Sequence, residues 1–501
     1  GALALFSNVG AKDPKRPLEP EAAYLAGRAA EAGGDKPAAR QRYENGIRTY
    51  PDTEYAQRSE LALMLMDFGE KKHADSLARA DAFLKKNPDS ALAGYARVYR
   101  GEALLELGRP EEALAAYQSV KAGNEDGPGG DGAYGAAWAN RKMGKHAEAA
   151  EAFFKVAVMK SPKAEDAEFW GCRSLEDAGQ FAEAGQRYEK FAAARRASNW
   201  AAEAAYRQAL CAFKEKRFDG AEKLYLAYLD AWKKSDFAAN ALYDLAWVYK
   251  EKHQPEAATN RLQQLLKEFP KSDLAPDVTF RLGEAAQDGK DYKTAAARYE
   301  EALAAGPVPF GDKVLYKLGW CCDYQNQTGK AADAFLRLCR EFPKSELAEE
   351  AHYRAGKLLQ KAGKNEEALK EYAAVGPGGF AERAQFQTAE SLRLTAKHKE
   401  ALAAYDEVFK KFPKTEFLAQ IHLGRGDCLR ALGSFPDAIV AYEAVVKATD
   451  TSDAASAVLG IGYSQFARGE FKEAAKTFLK VDILYGYDEL KPEALSMVAD
   501  S

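Results

Sequence analysis

The chain is short of the residues on which most chemistry depends. Its 501 residues include only six cysteines, six histidines and six tryptophans, and 71 Lys+Arg nearly cancel 75 Asp+Glu, leaving a formal net charge of −4. That balance argues against a nucleic-acid protein, in which a strongly basic face is expected. No run approaches the ~18 consecutive apolar residues of a membrane helix, so no membrane span is predicted. There is no Cys-x-x-Cys pair, no cysteine with a histidine at zinc-motif spacing, no phosphate-binding loop, no nucleophile elbow and no metalloprotease helix. Gly-Pro-Gly-Gly at 376–379 lacks the Lys-Ser/Thr that phosphate binding needs. Acidic pairs such as Glu111-Glu112 and Glu366-Glu367 read as helix starts on solvated faces, not as a general acid and base sharing a cleft. The expectation is a protein with no catalytic residue, no metal and no cofactor.

What the chain has in abundance is repetition. Gly-Arg-Pro-Glu-Glu-Ala-Leu-Ala-Ala-Tyr at 108–117 recurs as Gly-Lys-Asn-Glu-Glu-Ala-Leu-Lys-Glu-Tyr at 363–372 and Gly-Ser-Phe-Pro-Asp-Ala-Ile-Val-Ala-Tyr at 433–442. Anchored on the alanine four residues before the aromatic, the series runs Ala39, Ser76, Ala113, Ala149 and onward to Ala474. Its thirteen units are spaced by 33 to 37 residues. Each unit reads as two helices rich in Ala, Leu, Glu and Lys, with apolar positions at three- and four-residue steps. Pro51, Pro88, Pro270, Pro343 and Pro413 stop second helices. Twelve residues before each anchor stands a small residue (Gly27, Gly101, Ala137, Cys172 and their equivalents), with Met64 the exception. The residue four after the anchor is aromatic except at Ala80 and Leu262, and is predicted to fill the space beside the small one.

This pattern of small residue, Gly-x-aromatic-x-x-Ala, aromatic and closing Pro resembles the tetratricopeptide-repeat family over about residues 20–487. Segments such as Lys-Glu-Phe-Pro-Lys-Ser-Asp-Leu-Ala at 267–275 and Arg-Glu-Phe-Pro-Lys-Ser-Glu-Leu-Ala at 340–348 resemble its bacterial envelope branch, which includes the TolA-binding protein and the outer-membrane assembly lipoprotein. The resemblance implies an all-α solenoid of about thirteen helix-turn-helix hairpins, wound as a right-handed superhelix whose first helices line a concave groove. It also implies a non-enzymatic scaffold that holds a protein segment, extended or helical. The setting implied is an envelope complex, periplasmic or outer-membrane-associated, with the cytoplasm as the alternative. Residues 1–19 are read as a tail, the remnant of a signal or anchor segment. Residues 488–501 are read as a partial fourteenth repeat or a capping helix, with Ala499 near the small position. The Gly-rich stretches 121–132 and 376–379 are placed at inter-repeat turns.

One aromatic column rises above the repeat. Three residues before the small position come Tyr24, Tyr134, Phe169, Tyr206, Tyr243, Phe280, Tyr316, Tyr353 and Phe386, and one residue beyond it come Trp138, Trp247 and Trp320. The pairs Tyr134/Trp138, Tyr243/Trp247 and Tyr316/Trp320 are i,i+4 neighbours on one helical face. With Tyr206 and Tyr353 they form the candidate partner-binding groove, set among the mixed charges Arg173, Glu284, Lys357, Glu390, Arg393, Asp427 and Arg430. The same rings could stack on sugars in a polysaccharide-export system, or the array could make its contacts through its ends; both alternatives stay open. The six cysteines are predicted to pack as small hydrophobes. His73, His146 and His398 are dispersed at hairpin turns. Arg425-Gly426-Asp427 spells an adhesion tripeptide, but its glycine falls at a packing position inside a helix.

Overall fold

The computed structural model describes residues 19–121, 123–306, 308–485 and 487–501. Twenty-seven α-helices and one short π-helical segment are present among them, with no strand. The reading of residues 1–19 as a tail lies outside the described residues except for Glu19, which opens the first helix. No described helix is long and apolar enough to cross a membrane. Contacts divide the chain into two units, residues 1–258 and 259–501.

Unit 1 contains six complete hairpins, from Glu19–Ala32 with Lys36–Thr49 to Ala201–Lys214 with Phe218–Ala231, followed by the helix Ala238–Glu251. Unit 2 contains six more, from Ala275–Asp288 with Tyr292–Ala304 to Ser452–Ala467 with Phe471–Lys480. After the π-helical segment Val481–Tyr485 comes a last helix, Lys491–Asp500. There Ala494, not Ala499, is the buried alanine, packed with Phe478 and Val481.

The hairpin turn obeys one rule throughout. Five residues before every anchor the backbone enters the left-handed region, at Gly34, Lys71, Gly108, Gly144, Gly179, Lys216, His253, Lys290, Asn326, Gly363, Ala396, Gly433 and Gly469. A left-handed residue ends a helix by turning the chain away from it, and glycine does so without a side-chain clash. Seven of the thirteen turns use glycine; the other six impose the strain on a side chain.

The small column and the second-helix aromatic lock each hairpin. A Cβ added at Gly101, Gly283, Gly319, Gly356, Gly426 or Gly462 would lie 2.5–2.7 Å from the ring sixteen residues later, too close for any side chain. Tyr117 and Tyr442 are each met by a second glycine, Gly135 and Gly460 of the following hairpins, where a Cβ would lie 2.3 and 2.4 Å from the ring. The two departures at 64 and 80 cancel. Met64 and Ala80 are both fully buried in one cluster, so the large and small partners have exchanged places at nearly constant volume. One expectation needs correction. Residues 128–132 are not turn but the first residues of the helix Pro128–Lys142; the backbone of Gly123 and Glu125 lies against Gly129 and Gly130, leaving no room for a Cβ.

Candidate functional site

The three Tyr/Trp pairs adopt one geometry. Ring centroids are 6.3 Å apart in Tyr134/Trp138, Tyr243/Trp247 and Tyr316/Trp320, edge to face in each, and all six residues are half-buried. Cations lie over them: Lys163 is 5.7 Å from the Tyr134 ring, Lys250 4.6 Å from Trp247 and Arg354 4.4 Å from Trp320. Arg141 reaches both Trp138, at 5.8 Å, and Trp170, at 5.1 Å. Each such contact contributes about 0.5–2 kcal/mol and holds the indole in one orientation.

Tyr206 and Tyr353 do not share this exposure. Tyr206 is 8% exposed, stacks on Phe237 at 5.2 Å and donates its hydroxyl to Asp244 Oδ2 at 2.7 Å. Tyr353 is 6% exposed, with Phe380 at 5.3 Å. Both are therefore wall residues rather than surface ones. Their burial follows from a column that the sequence reading missed, the residue just before each first helix. Where that residue is aromatic, it covers the ring of the preceding hairpin. Phe169 is covered by Trp200 at 4.4 Å, Phe280 by Phe310 at 5.2 Å and Phe386 by Phe417 at 4.6 Å. Where it is Lys163 or Leu347, Tyr134 and Tyr316 remain half-open. The signal was present as aromatics standing 27 to 31 residues after the first column.

Neighbouring first helices are joined through two further positions. The residue after the small position meets, on the next hairpin, the residue two before it: Trp138 packs on Trp170 at 4.7 Å, Glu284 pairs with Lys317 at 3.3 Å, and Trp320 lies under Arg354. Most of the charges expected on this face are consumed here. Arg173 pairs with Glu203 at 3.3 Å, and Arg207 pairs with Glu203 at 2.6 Å and Glu176 at 3.1 Å. Arg393 bridges Glu390 at 2.8 Å and Asp427 at 3.3 Å, while Tyr442 donates to Asp427 at 2.8 Å. Beside this last network lies a polar recess of about 240 Å³ lined by Gln360, Gln387, Glu390, Arg393, Gln420 and Asp427 among others. The buried tyrosines of the second helices follow the same logic of satisfaction. Tyr43, Tyr188, Tyr299 and Tyr372 donate to Glu31, Glu176, Gln287 and Gln360, each twelve residues earlier.

All six cysteines are buried and free. Burial pushes the Cys211 thiol up to about 12 and that of Cys428 up to about 11, which leaves both protonated and unreactive. His73, His146 and His398 each begin a second helix, far apart along the chain. Gly426 lies inside the helix Leu418–Ala431 against Tyr442, so the adhesion-like tripeptide is helical and packed. One group of potential metal donors is found among the described residues: Cys339, His352 and Glu371, with one donor atom of each within 4.8 Å of the others. Separated by thirteen and nineteen residues on three helices, they form no linear motif.

Tetratricopeptide-repeat models match residues 21–53, 68–128, 173–236, 243–307, 280–346, 386–453 and 423–489. No curated protein matches the chain significantly. Among solved structures, it is similar to a tetratricopeptide-repeat protein from Parabacteroides merdae at 19% identity, covering 52% of this chain and 98% of that one, with a TM-score of 0.32. It is also similar to the C-terminal part of a TPR repeat-containing protein from Cytophaga hutchinsonii at 18% identity, 51% and 98% coverage and a TM-score of 0.38. Yeast Tom70 matches at 15% identity, 89% and 96% coverage and a TM-score of 0.30. Family models matching more than half of the chain, on a structure built throughout from helix pairs of the same period, establish that this chain belongs to the tetratricopeptide-repeat family.

Proposed function

We propose that the chain is a non-enzymatic scaffold that captures a segment of a partner protein on the first helices of its hairpins. Tetratricopeptide repeats are in general interaction modules, and the observation that carries this reading is the set of three identically arranged, half-exposed Tyr/Trp pairs, each with a cation beside it. Large amphipathic rings held rigid by their neighbours lose little entropy on binding and are the composition of interface hot spots. The partner's apolar side chains pack on the Trp of such a pair, Trp138 or Trp247 in unit 1 or Trp320 in unit 2, and the Tyr of that pair, Tyr134, Tyr243 or Tyr316, completes the contact. Because most charges around the rings are already paired within the scaffold, apolar contact supplies the affinity and charge acts on register. The linker segments at 267–275 and 340–348 support a setting in the bacterial cell envelope, periplasmic or outer-membrane-associated.

A photo-crosslinking residue placed at Trp320 in cells, with mass spectrometry of the adducts, tests both statements. One dominant protein adduct is expected, its identity reporting the compartment. In a binding assay with that protein, Trp320→Ala is expected to weaken capture about 30-fold, the size of a hot-spot loss of about 2 kcal/mol. Recovery of glycan alone, or binding unchanged by the substitution, would overturn the peptide reading in favour of sugar stacking or of contacts through the ends.

A further inference from the structure

Unit 2 gathers three metal-ligand side chains of different chemistry. Cys339 stands near the end of the second helix Thr328–Glu341, His352 on the first helix of the next hairpin, Ala348–Lys361, and Glu371 near the end of that hairpin's second helix, Asn365–Ala373. His352 Nδ1 is 2.8 Å from Glu371 Oε2. The Cys339 thiol is buried and donates only a long contact, 3.8 Å, to the Ala348 carbonyl. The side chains of His352 and Glu371 are 23% and 21% exposed, so solvent reaches the open side of the triangle.

We propose that Cys339, His352 and Glu371 form a site for a borderline divalent transition metal, zinc foremost, with water as the fourth ligand. One sulfur, one imidazole nitrogen and one carboxylate oxygen is a donor set that hard cations such as calcium and magnesium do not favour and zinc accepts. Bonds of about 2.3 Å to sulfur and about 2.0–2.1 Å to nitrogen and oxygen place tetrahedral donors about 3.3–3.6 Å apart. No edge of the observed triangle is longer than 4.8 Å; its edges to Cys339 shorten to that size and the 2.8 Å hydrogen bond between His352 and Glu371 opens to it, changes within the reach of side-chain rotation. The backbone need not move, because the helices bearing them already pack on one another through a shared buried cluster. On binding, the thiol proton and any proton held between His352 and Glu371 leave to solvent. Since Cys339 belongs to one hairpin and the other two ligands to the next, the metal acts as a cross-hairpin staple. This inference is independent of the partner-binding reading.

The test uses the full chain, stripped with a chelator and kept reduced, and titrated with Co²⁺ as the spectroscopic probe and then with Zn²⁺ in competition. The expected result is one equivalent of Co²⁺ with a thiolate-to-cobalt charge-transfer band that Zn²⁺ abolishes. Cys339→Ala is expected to remove the band, and His352→Gln or Glu371→Gln to weaken binding at least about tenfold. Cys428→Ala is expected to leave both unchanged. Absence of the band in the unaltered chain overturns the proposal, as does its persistence in Cys339→Ala. Should Cys339→Ala fail to fold, unchanged affinity in both His352→Gln and Glu371→Gln is an equally decisive refutation.

Discussion

The two units are built on one repeat and join their hairpins by the same kinds of contact, but only unit 1 runs its tryptophans into a ladder. Unit 1 holds five of the six tryptophans. Three of them run as a continuous ladder over successive hairpins, Trp138 to Trp170 at 4.7 Å and Trp170 to Trp200 at 6.1 Å, with Phe169 stacked beneath Trp200. Unit 2 has Trp320 alone, covered by Arg354, and joins its other hairpins by single ring contacts, Phe280 with Phe310 and Phe386 with Phe417, and by ion pairs such as Glu284–Lys317 and Arg393–Asp427. Unit 1 carries ion pairs beside its ladder, Arg173–Glu203 and Arg207–Glu176. Its small column is also glycine in five of six hairpins, whereas among the six complete hairpins of unit 1 it is glycine in only two. The backbone period thus sets where neighbouring hairpins touch, and the residues at the joining positions set how much of each seam is apolar and how much is ionic and screened by salt.

The comparison breaks most visibly at the ladder. Trp170 lies between Trp138, Phe169 and Trp200 with Arg141 over it, so Trp170→Ala is expected to cost unit 1 about 2–4 kcal/mol. Hydrogen exchange should show the loss confined to the hairpins around residues 128–214, with little change in unit 2. Equal loosening of both units would mean that the array does not act as a chain of nearest-neighbour contacts.

A second contrast concerns carboxylates. Glu390 of unit 2 is paired with Arg393, whereas burial and the nearby Asp131 carboxylate push Glu102 of unit 1 up to about 7, only partly offset by Lys163. A carboxyl whose folded pKa exceeds its unfolded value of 4.5 holds its proton more tightly when folded. Its contribution is therefore present below about pH 4.5 and is lost as pH rises towards 7. Glu102→Gln is expected to stabilise unit 1 by about 1–3 kcal/mol at pH 8 and to flatten its pH dependence over that window. Denaturant melts at pH 5 and pH 8 measure it; an unchanged difference between the two would show that Glu102 titrates normally.

The smallest effect lies in the turns. Ala396 adopts a left-handed conformation that Gly363 and Gly433 occupy at the equivalent positions, so Ala396→Gly is expected to add about 0.5–1 kcal/mol to its hairpin. A lower midpoint in urea would refute the strain argument.

Much of this was legible before any coordinates. The repeat, the hairpins, the proline stops and the pairing of a small residue with a ring sixteen positions later are all contacts within one hairpin, where linear spacing maps directly onto helical geometry. The thirteen left-handed turns fall at a constant distance from the anchor and were equally accessible. Exposure of the aromatic column was not. Tyr206 and Tyr316 occupy the same place in the repeat, and what separates them is Phe237 in one case and Leu347 in the other, outside the unit being read.

What the sequence determined by itself is the solenoid class and its register, because a period of 33 to 37 residues with a small residue facing an aromatic allows one way of closing each hairpin. What only the tertiary structure decided is which side chains meet across hairpins: the ladder of unit 1, the ion pairs between first helices, the covered tyrosines and the cluster of Cys339, His352 and Glu371. Those contacts depend on how one hairpin lies on the next, an angle set by the summed packing of many side chains and written at no single spacing in the chain.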